Sequence, residues 1–175
     1  MIEPQWKRIA GVHFQAGAAG AGAVWIALDP QTDVAHLYDC ALFPTEPAII
    51  IAEGLNKHGK WIPIAWEKAA KPLADQLLDR GCNMLSEPVE QTDVQAEAAS
   101  RDVLERMRSE RFRVDRRMTA WLDEYRDFQR DEGKVPTKGH PLMAATRYAV
   151  ANIAYARSQN RGRKDQKNYP TVAMI

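Results

Sequence analysis

The sequence contains few of the features that would place it in a membrane, a secreted compartment or a nucleotide-driven motor. It has only two cysteines, Cys40 and Cys82, which lack the spacing of metal ligands and are expected to be small buried residues. No apolar run is long enough to span a bilayer. The first residues, MIEPQWKR, lack the apolar core of a signal peptide, so a cytoplasmic location is expected. The phosphate loop GxxxxGK[ST] is also missing, which excludes nucleotide hydrolysis of that type.

Neither sign of charge is in excess, because 24 Lys and Arg residues are matched by 23 Asp and Glu residues. Any binding to nucleic acid must therefore come from local patches rather than from net charge. A chain of 175 residues with 45% hydrophobic and 27% charged residues is typical of one soluble domain with a substantial core. We assign residues 1–157 to that domain, and we expect the polar, basic residues 158–175 to be a disordered tail.

The apolar pattern predicts an α/β domain with a mixed central sheet covered by helices on both faces. Predicted strands comprise an antiparallel meander over residues 7–14, 23–28 and 34–43, a buried central strand over residues 61–66, another strand in NMLSEP and an edge strand in RFRVD. Five helices are predicted. One begins at Pro47, a second runs from Pro72 to Gly81, and the other three cover QAEAASRDVLERMRSE, MTAWLDEYRDFQRDEG and PLMAATRYAVANIAYAR. The last of these is apolar on two faces, so it should be largely buried.

Three segments in order carry a resemblance to a known family. They are RIAGVHFQ with AVWIALDPQTDVAHLYD, then GKWIPIAWEKAA, then HPLMAATRYAVANIAYAR. Together they resemble the nuclease domain of phage terminase large subunits, in which the second typically reads GWIPVAWPHDG and the third DDLMSATRYA. The intervening GCNMLSEP, VLERMRSERFRV and WLDEYRDF occur in the expected order, so the resemblance covers roughly residues 6–157. It implies an RNase H-like fold and a role in viral DNA packaging.

The resemblance also implies a metal-dependent endonuclease, and here the sequence departs from the family. The family cuts DNA with two Mg²⁺ or Mn²⁺ ions about 4 Å apart, held by acids from the first strand, a central strand and the last helix. Those positions fall on His13, on Ala69, and on His140 or Pro141, with Ala144 as a further position in the last helix. None is acidic, and histidine supplies neither the hard oxygen nor the negative charge that Mg²⁺ prefers. We therefore expect a domain without a metal or cofactor that kept the fold and lost the cutting activity.

Two alternatives keep a metal. Glu67, two residues before Ala69, is a possible substitute ligand, with Asp29, Asp39 and Glu97 as further candidates. In that case the chain would be an active endonuclease that needs Mg²⁺ or Mn²⁺. His13 and His140 could instead bind a transition metal, or be uncharged side chains that fill the space of the former metal site.

Basic residues supply the candidate DNA contacts, since arginines and lysines along an edge can bind phosphates without reading sequence. The expected partners are double-stranded DNA and a terminase ATPase domain or another packaging protein, with no membrane. A third hypothesis is a prophage remnant with no DNA role, retained for a protein partner. Arg147, within a buried helix, is expected to pair with an internal acid or carbonyl. The DNA-contact candidates are Lys68, Lys71, Arg106, Arg108, Arg111, Arg113, Arg116, Arg117, Lys134 and Lys138.

Overall fold

The computed structural model describes residues 2–15, 20–44, 47–136 and 138–159. The predicted tail lies almost entirely outside these residues. Within them, a five-stranded mixed sheet has the strand order β4-β1-β2-β3-β5. No helix in this part of the chain combines the length and hydropathy needed to cross a membrane.

The predicted antiparallel meander is confirmed and forms the centre of the sheet. It consists of β1 (Lys7–Phe14), β2 (Ala21–Leu28) and β3 (Ala35–Phe43). Strands β1 and β2 pair from Lys7 opposite Leu28 to Phe14 opposite Ala21. Almost all of β2 is buried, as expected for a central strand covered on both faces.

The prediction of a long central strand over residues 61–66 is wrong. The strand there, β4 (Ile64–Ala65), has only two residues and runs parallel to β1 at the sheet edge. Pro63 has no backbone N–H to add to the ladder, which limits the strand on that side. NMLSEP likewise forms no regular strand, because only an isolated bridge joins Met84 to Ile64, and Pro88 interrupts the segment before the next bridge, from Val89 to Glu67.

Helices cover both faces of the sheet, as predicted. On one face lie α1 (Ala48–Asn56) and α2 (Lys71–Asp79), packed in a core with Trp25, Leu55 and Leu77. On the other lie α3 (Asp93–Arg108), α4 (Thr119–Asp127) and α5 (Pro141–Ala151), around Ile26, Trp121 and other buried residues. The predicted edge strand is also present, as β5 (Phe112–Val114), parallel to β3.

Helix α5 lies directly on β1 and β2, and glycine makes this approach possible. A Cβ atom at Gly11 would collide with the carbonyl of Ala145, and one at Gly22 would lie 2.7 Å from Pro141 Cβ. Ten of the eleven α5 residues are buried, which confirms the expectation from its two apolar faces. This close packing brings α5 over the end of β1, where the candidate site lies.

Candidate functional site

Three chain segments meet at the carboxyl end of β1. His13 lies near the end of β1, Glu67 follows β4, and Tyr148 comes from α5. Because β4 runs parallel to β1, the residues that follow both strands emerge at the same edge of the sheet. All three side chains are buried, with exposed fractions of 5% for His13, 5% for Glu67 and 2% for Tyr148.

Glu67 is the centre of a hydrogen-bonded network. Its Oε1 accepts from the backbone N–H of Phe14 at 3.1 Å, and its Oε2 accepts from the Tyr148 hydroxyl at 3.0 Å. His13 Nδ1 lies 3.2 Å from both Glu67 Oε2 and the Tyr148 oxygen. Because the Tyr148 proton is directed to Glu67, the network assigns a hydrogen to His13 Nδ1 as a donor. Burial raises the pKa of the Tyr148 hydroxyl, and the neighbouring Glu67 charge raises it further, so Tyr148 remains a proton donor.

Two members of this network, His13 and Glu67, line an open cleft of about 660 Å³. The cleft is also lined by residues of the segment that leads into α2, of the first turn of α2 and of the loop before α5. Lys138 is the exposed cation on that loop, and Gln91 contributes a further polar group. The remaining lining is mostly apolar or backbone, from Phe14, Gln15, Ala69, Ala70, Pro72, Leu73 and Gly139.

The positions that the resemblance aligned with metal ligands do not all reach this cleft. His13 and Ala69 line it, with Ala69 exposed in a 3-10 helix over Lys68–Ala70. His140 precedes α5 and packs edge-on against Phe128, with ring centroids 5.1 Å apart. Pro141 and Ala144 are buried in α5, and Ala144 clusters with Ala65 and Tyr148 beneath the network.

The described residues that line this cleft do not fit a pair of hard divalent ions. The only carboxylate lining the described cleft is Glu67, and each of its oxygens already accepts a hydrogen bond from the protein. Among residues 2–15, 20–44, 47–136 and 138–159, no three His, Cys, Asp or Glu side chains are grouped in a way that could hold a metal ion. Two-metal sites need several oxygen ligands to offset the charge of the ions.

The further acidic candidates lie elsewhere and have other partners. Asp29 follows β2, at the end of the meander opposite to His13, and accepts from Gln31 and Thr32 in a turn. Asp39 pairs with Lys57 at 2.7 Å and His58 at 2.6 Å. Glu97 on α3 forms a two-pronged ion pair with Arg130. The structure therefore brings Glu67 to His13 but places none of these three beside them.

Two functional candidates escaped the sequence analysis, Tyr148 and Glu124. Glu124 on α4 accepts a hydrogen bond from the Met143 backbone N–H at 2.8 Å, at the first turn of α5. Burial raises the pKa of Glu124 to about 7, against the opposing effects of backbone N–H groups from Met143 and Leu142 and the charges of His13 and Arg147. Both residues carry a sequence signal, since Tyr148 lies in a buried helix and Glu124 follows the buried Trp121 by one helical turn.

The candidate DNA contacts fall at two separate places. Lys68, Lys71, Lys134 and Lys138 lie on segments around the cleft or at the amino end of α3. The arginines lie at the carboxyl end of α3 and along β5, at the opposite edge of the sheet from β4. Many are paired with acids, and the pairs are Lys68 with Glu90, Lys71 with Asp75, Lys134 with Asp93, Arg106 and Arg111 with Asp33, and Arg117 with Asp115.

Solved structures that resemble this chain over most of its length include nuclease domains of terminases. The nuclease domain of the P22 large terminase is 20% identical, with a TM-score of 0.80, over 90% of this chain and 87% of that chain. The large-terminase nuclease domain of bacteriophage SPP1, with bound Mn, is 18% identical with a TM-score of 0.65, over 84% and 86% of the two chains. The human cytomegalovirus terminase nuclease domain is 13% identical with a TM-score of 0.57, over 86% and 87%.

The chain thus has the RNase H-like fold of terminase large-subunit nuclease domains, as its sequence motifs predicted. No family model matches the sequence, and no curated protein matches it. At these levels of identity the likeness establishes the fold, and activity has to be argued from the site.

Proposed function

We propose that this chain is a terminase-type nuclease domain that acts in viral DNA packaging without cutting DNA. Support comes from the fold likeness over most of the chain. The observation that carries the proposal is the buried network of His13, Glu67 and Tyr148 at the place where the three chain segments converge. There, an imidazole and a phenol surround the one carboxylate.

The proposed loss of cutting has a physical basis in the donors of this network. Hydrolysis with two metal ions depends on carboxylate oxygens that face the cleft and offset the charge of both ions. Glu67 directs Oε1 to the Phe14 amide and Oε2 to Tyr148 and His13. To bind an ion, this side chain would have to abandon buried hydrogen bonds, and the His13 N–H donor would face the cation.

The retained role would be contact with the DNA backbone or with packaging partners. Lys138 lines the cleft, and Lys68 and Lys71 lie in the helical segment on its wall, so their ammonium groups could contact phosphates there. The arginines near β5 would provide a second basic surface. A terminase ATPase domain or another packaging protein is the proposed protein partner.

One specific observation favours a second candidate, an active endonuclease with relocated acidic ligands. Glu67 is a buried carboxylate that also lines the cleft beside His13. It would need Mg²⁺ or Mn²⁺ and further oxygen ligands that the described residues do not place beside it.

Cleavage of supercoiled plasmid distinguishes the two functions. The purified chain is expected to leave the plasmid intact in Mg²⁺ and in Mn²⁺ at low salt, while retarding its migration through DNA binding. Glu67→Gln keeps the side-chain shape and removes the charge, so it is the matched variant. Metal-dependent nicking that disappears in Glu67→Gln would establish the endonuclease and overturn our proposal.

A further inference from the structure

A second cavity, separate from the cleft, lies between α3, α4 and α5. Its volume is about 390 Å³, within the usual range for small-molecule sites. Much of its lining is apolar, with Leu104 and Met107 from α3, Trp121 from α4 and Met143 from α5. Leu104 and Tyr125 are each 42% exposed at this cavity, so apolar surface remains for a ligand to cover.

Two polar atoms that belong to lining residues are buried without a hydrogen-bond partner. They are Nη1 of Arg147 and Oγ of Ser100, which come from different helices, α5 and α3. Arg147 is only 4% exposed, and among the described residues no carboxylate lies within 4.0 Å of its guanidinium. Nη1 of Arg147 thus makes no hydrogen bond to the internal acid or carbonyl that the sequence analysis expects, although the charge of Glu124 on α4 acts on the guanidinium from a longer distance. Phe128, whose ring centroid lies 5.8 Å from the guanidinium carbon, offers only a cation–π contact.

Four other polar side chains around the cavity, those of Trp121, Thr146, Arg126 and Arg130, are already paired. Trp121 Nε1 donates to the Thr146 hydroxyl at 2.9 Å, and that hydroxyl donates to the Leu142 carbonyl at 2.7 Å. Arg126 pairs with Asp123, and Arg130 pairs with Glu97. The missing acceptor is thus specific to Arg147 and Ser100. A buried cation without a partner is costly, and native proteins keep such groups mainly where something else completes them.

We propose that this cavity binds a small apolar monocarboxylate. The carboxylate accepts hydrogen bonds from the Arg147 guanidinium and the Ser100 hydroxyl, and the apolar body packs against Trp121, Met143 and Leu104. An arginine presents donors that match a carboxylate, and the apolar surroundings strengthen such a charged hydrogen bond. Burial lowers the pKa of Arg147, against the opposing influence of Tyr148 and of the Glu124 carboxylate, neither of which is hydrogen-bonded to Nη1.

Isothermal titration calorimetry on the full chain tests the proposal, with 4-phenylbutyrate, indole-3-acetate and octanoate as probes. At least one carboxylate is expected to bind with one-to-one stoichiometry. Its neutral amide is expected to bind about ten-fold more weakly or worse, because it lacks the charge-assisted hydrogen bond to Arg147. Equal affinities of acid and amide would overturn the proposal, and so would failure of all three acids to bind at millimolar concentration.

Variants locate the binding. Arg147→Met and Ser100→Ala are expected to weaken carboxylate binding, whereas Arg80→Gln, which changes an exposed arginine that does not line the cavity, should leave it unchanged. Arg147→Met should also unfold at the same temperature as the parent or higher, since it removes an unpaired buried charge. A marked fall in its unfolding temperature would show a structural role and count against the proposal. Leu104→Asp at the exposed rim provides a second test, because its charge should repel the ligand without disturbing the core, and unchanged binding in that variant would contradict the site.

Discussion

Tyr148 and Glu67 are 81 positions apart in the sequence, yet the Tyr148 hydroxyl donates a hydrogen bond to Glu67 Oε2 over 3.0 Å. The bond joins α5 to the segment after β4, across the end of β1. It depends on the close packing of α5 on Gly11, which leaves room for the tyrosine to reach the sheet edge. The same bond keeps the Glu67 carboxylate directed toward the protein, so it connects the stability of the fold with the proposed loss of metal binding.

Tyr148→Phe is expected to lower the free energy of unfolding by about 1–2 kcal/mol, since it leaves a buried carboxylate oxygen short of one donor. Urea unfolding followed by circular dichroism measures the change. Tyr125→Phe is the matched control, because Tyr125 is 42% exposed and its ring is stacked on Trp121. Equal losses in the two variants would contradict a specific role for the Tyr148 hydroxyl.

A pH-dependent loss of stability is expected from Glu124. Burial raises the pKa of its carboxyl to about 7 in the folded protein, above the ordinary value of 4.5. Between those values the folded state binds more protons than the unfolded state, so stability should fall as pH rises from about 4.5 to 7. Below pH 4.5 the stabilisation that comes from the protonated Glu124 carboxyl is fully present, and above pH 7 it is lost.

Glu124→Gln should remove this contribution while keeping an oxygen that accepts from the Met143 N–H. Urea unfolding at several pH values measures the free energy of unfolding of the parent and the variant. As pH rises, the variant should become more stable relative to the parent. Asp123→Asn on the exposed face of α4 serves as the control. Parallel pH profiles for the parent and Glu124→Gln would show that Glu124 does not titrate in this range.

Local patterns predicted the meander and the buried last helix because each depends on features that lie close together in the sequence. The strand over residues 7–14 contains a short continuous buried run, and PLMAATRYAVA has helical composition with proline at its start. The segment WIPIAW was equally apolar but formed only a two-residue strand. Burial and strand pairing are separate properties, and here the chain buries Ile62 and Trp66 without extending the ladder.

The candidate site was predicted only in part, because its contacts cross long sequence distances. The alignment with the family placed His13 and Ala69 at the cleft, and the search for substitute acids identified Glu67. Tyr148 was missed since nothing local indicates that its hydroxyl reaches Glu67. Glu124 was missed because its role at the start of α5 follows from how α4 packs on that helix.

DNA binding is expected to be weak, independent of sequence and strongly dependent on salt. Lys68→Glu combined with Lys138→Glu should weaken binding equally on unrelated duplexes, and Arg113→Glu with Arg116→Glu should do the same if the second surface is engaged. Removing one phosphate contact should reduce the slope of log affinity against log salt by about 0.9. Fluorescence anisotropy over a range of salt concentrations measures both quantities.

The matched control for these reversals is Lys60→Glu with Arg80→Glu, which changes the net charge equally on exposed residues beside α1 and α2. Binding should be nearly unchanged in this control. An equal loss in all three double variants would point to net charge rather than to a surface. Binding that does not respond to salt would contradict phosphate contact altogether.

Restoring carboxylates should recreate metal affinity at the cleft. The double variant His13→Asp with Ala69→Asp adds two acids to Glu67 on the same cleft, and His13→Asp also removes the donor that faces Glu67 Oε2. Without metal, three close carboxylates should repel one another and lower the unfolding temperature. Mn²⁺ should raise it again by binding the folded state, and the rise should increase with Mn²⁺ concentration.

Thermal unfolding with and without Mn²⁺ provides the measurement, and the parent chain is expected to show no rise. Adding Glu67→Gln to the double variant removes the third carboxylate and should abolish most of the rise in unfolding temperature that Mn²⁺ produces. Adding His140→Asp instead tests whether the segment before α5 belongs to the site, since an aspartate there can also cap the helix. If the double variant folds but Mn²⁺ leaves its unfolding temperature unchanged, the cleft at His13 and Ala69 is not the counterpart of the metal site. The absence of cutting would then need an explanation other than the loss of these acids.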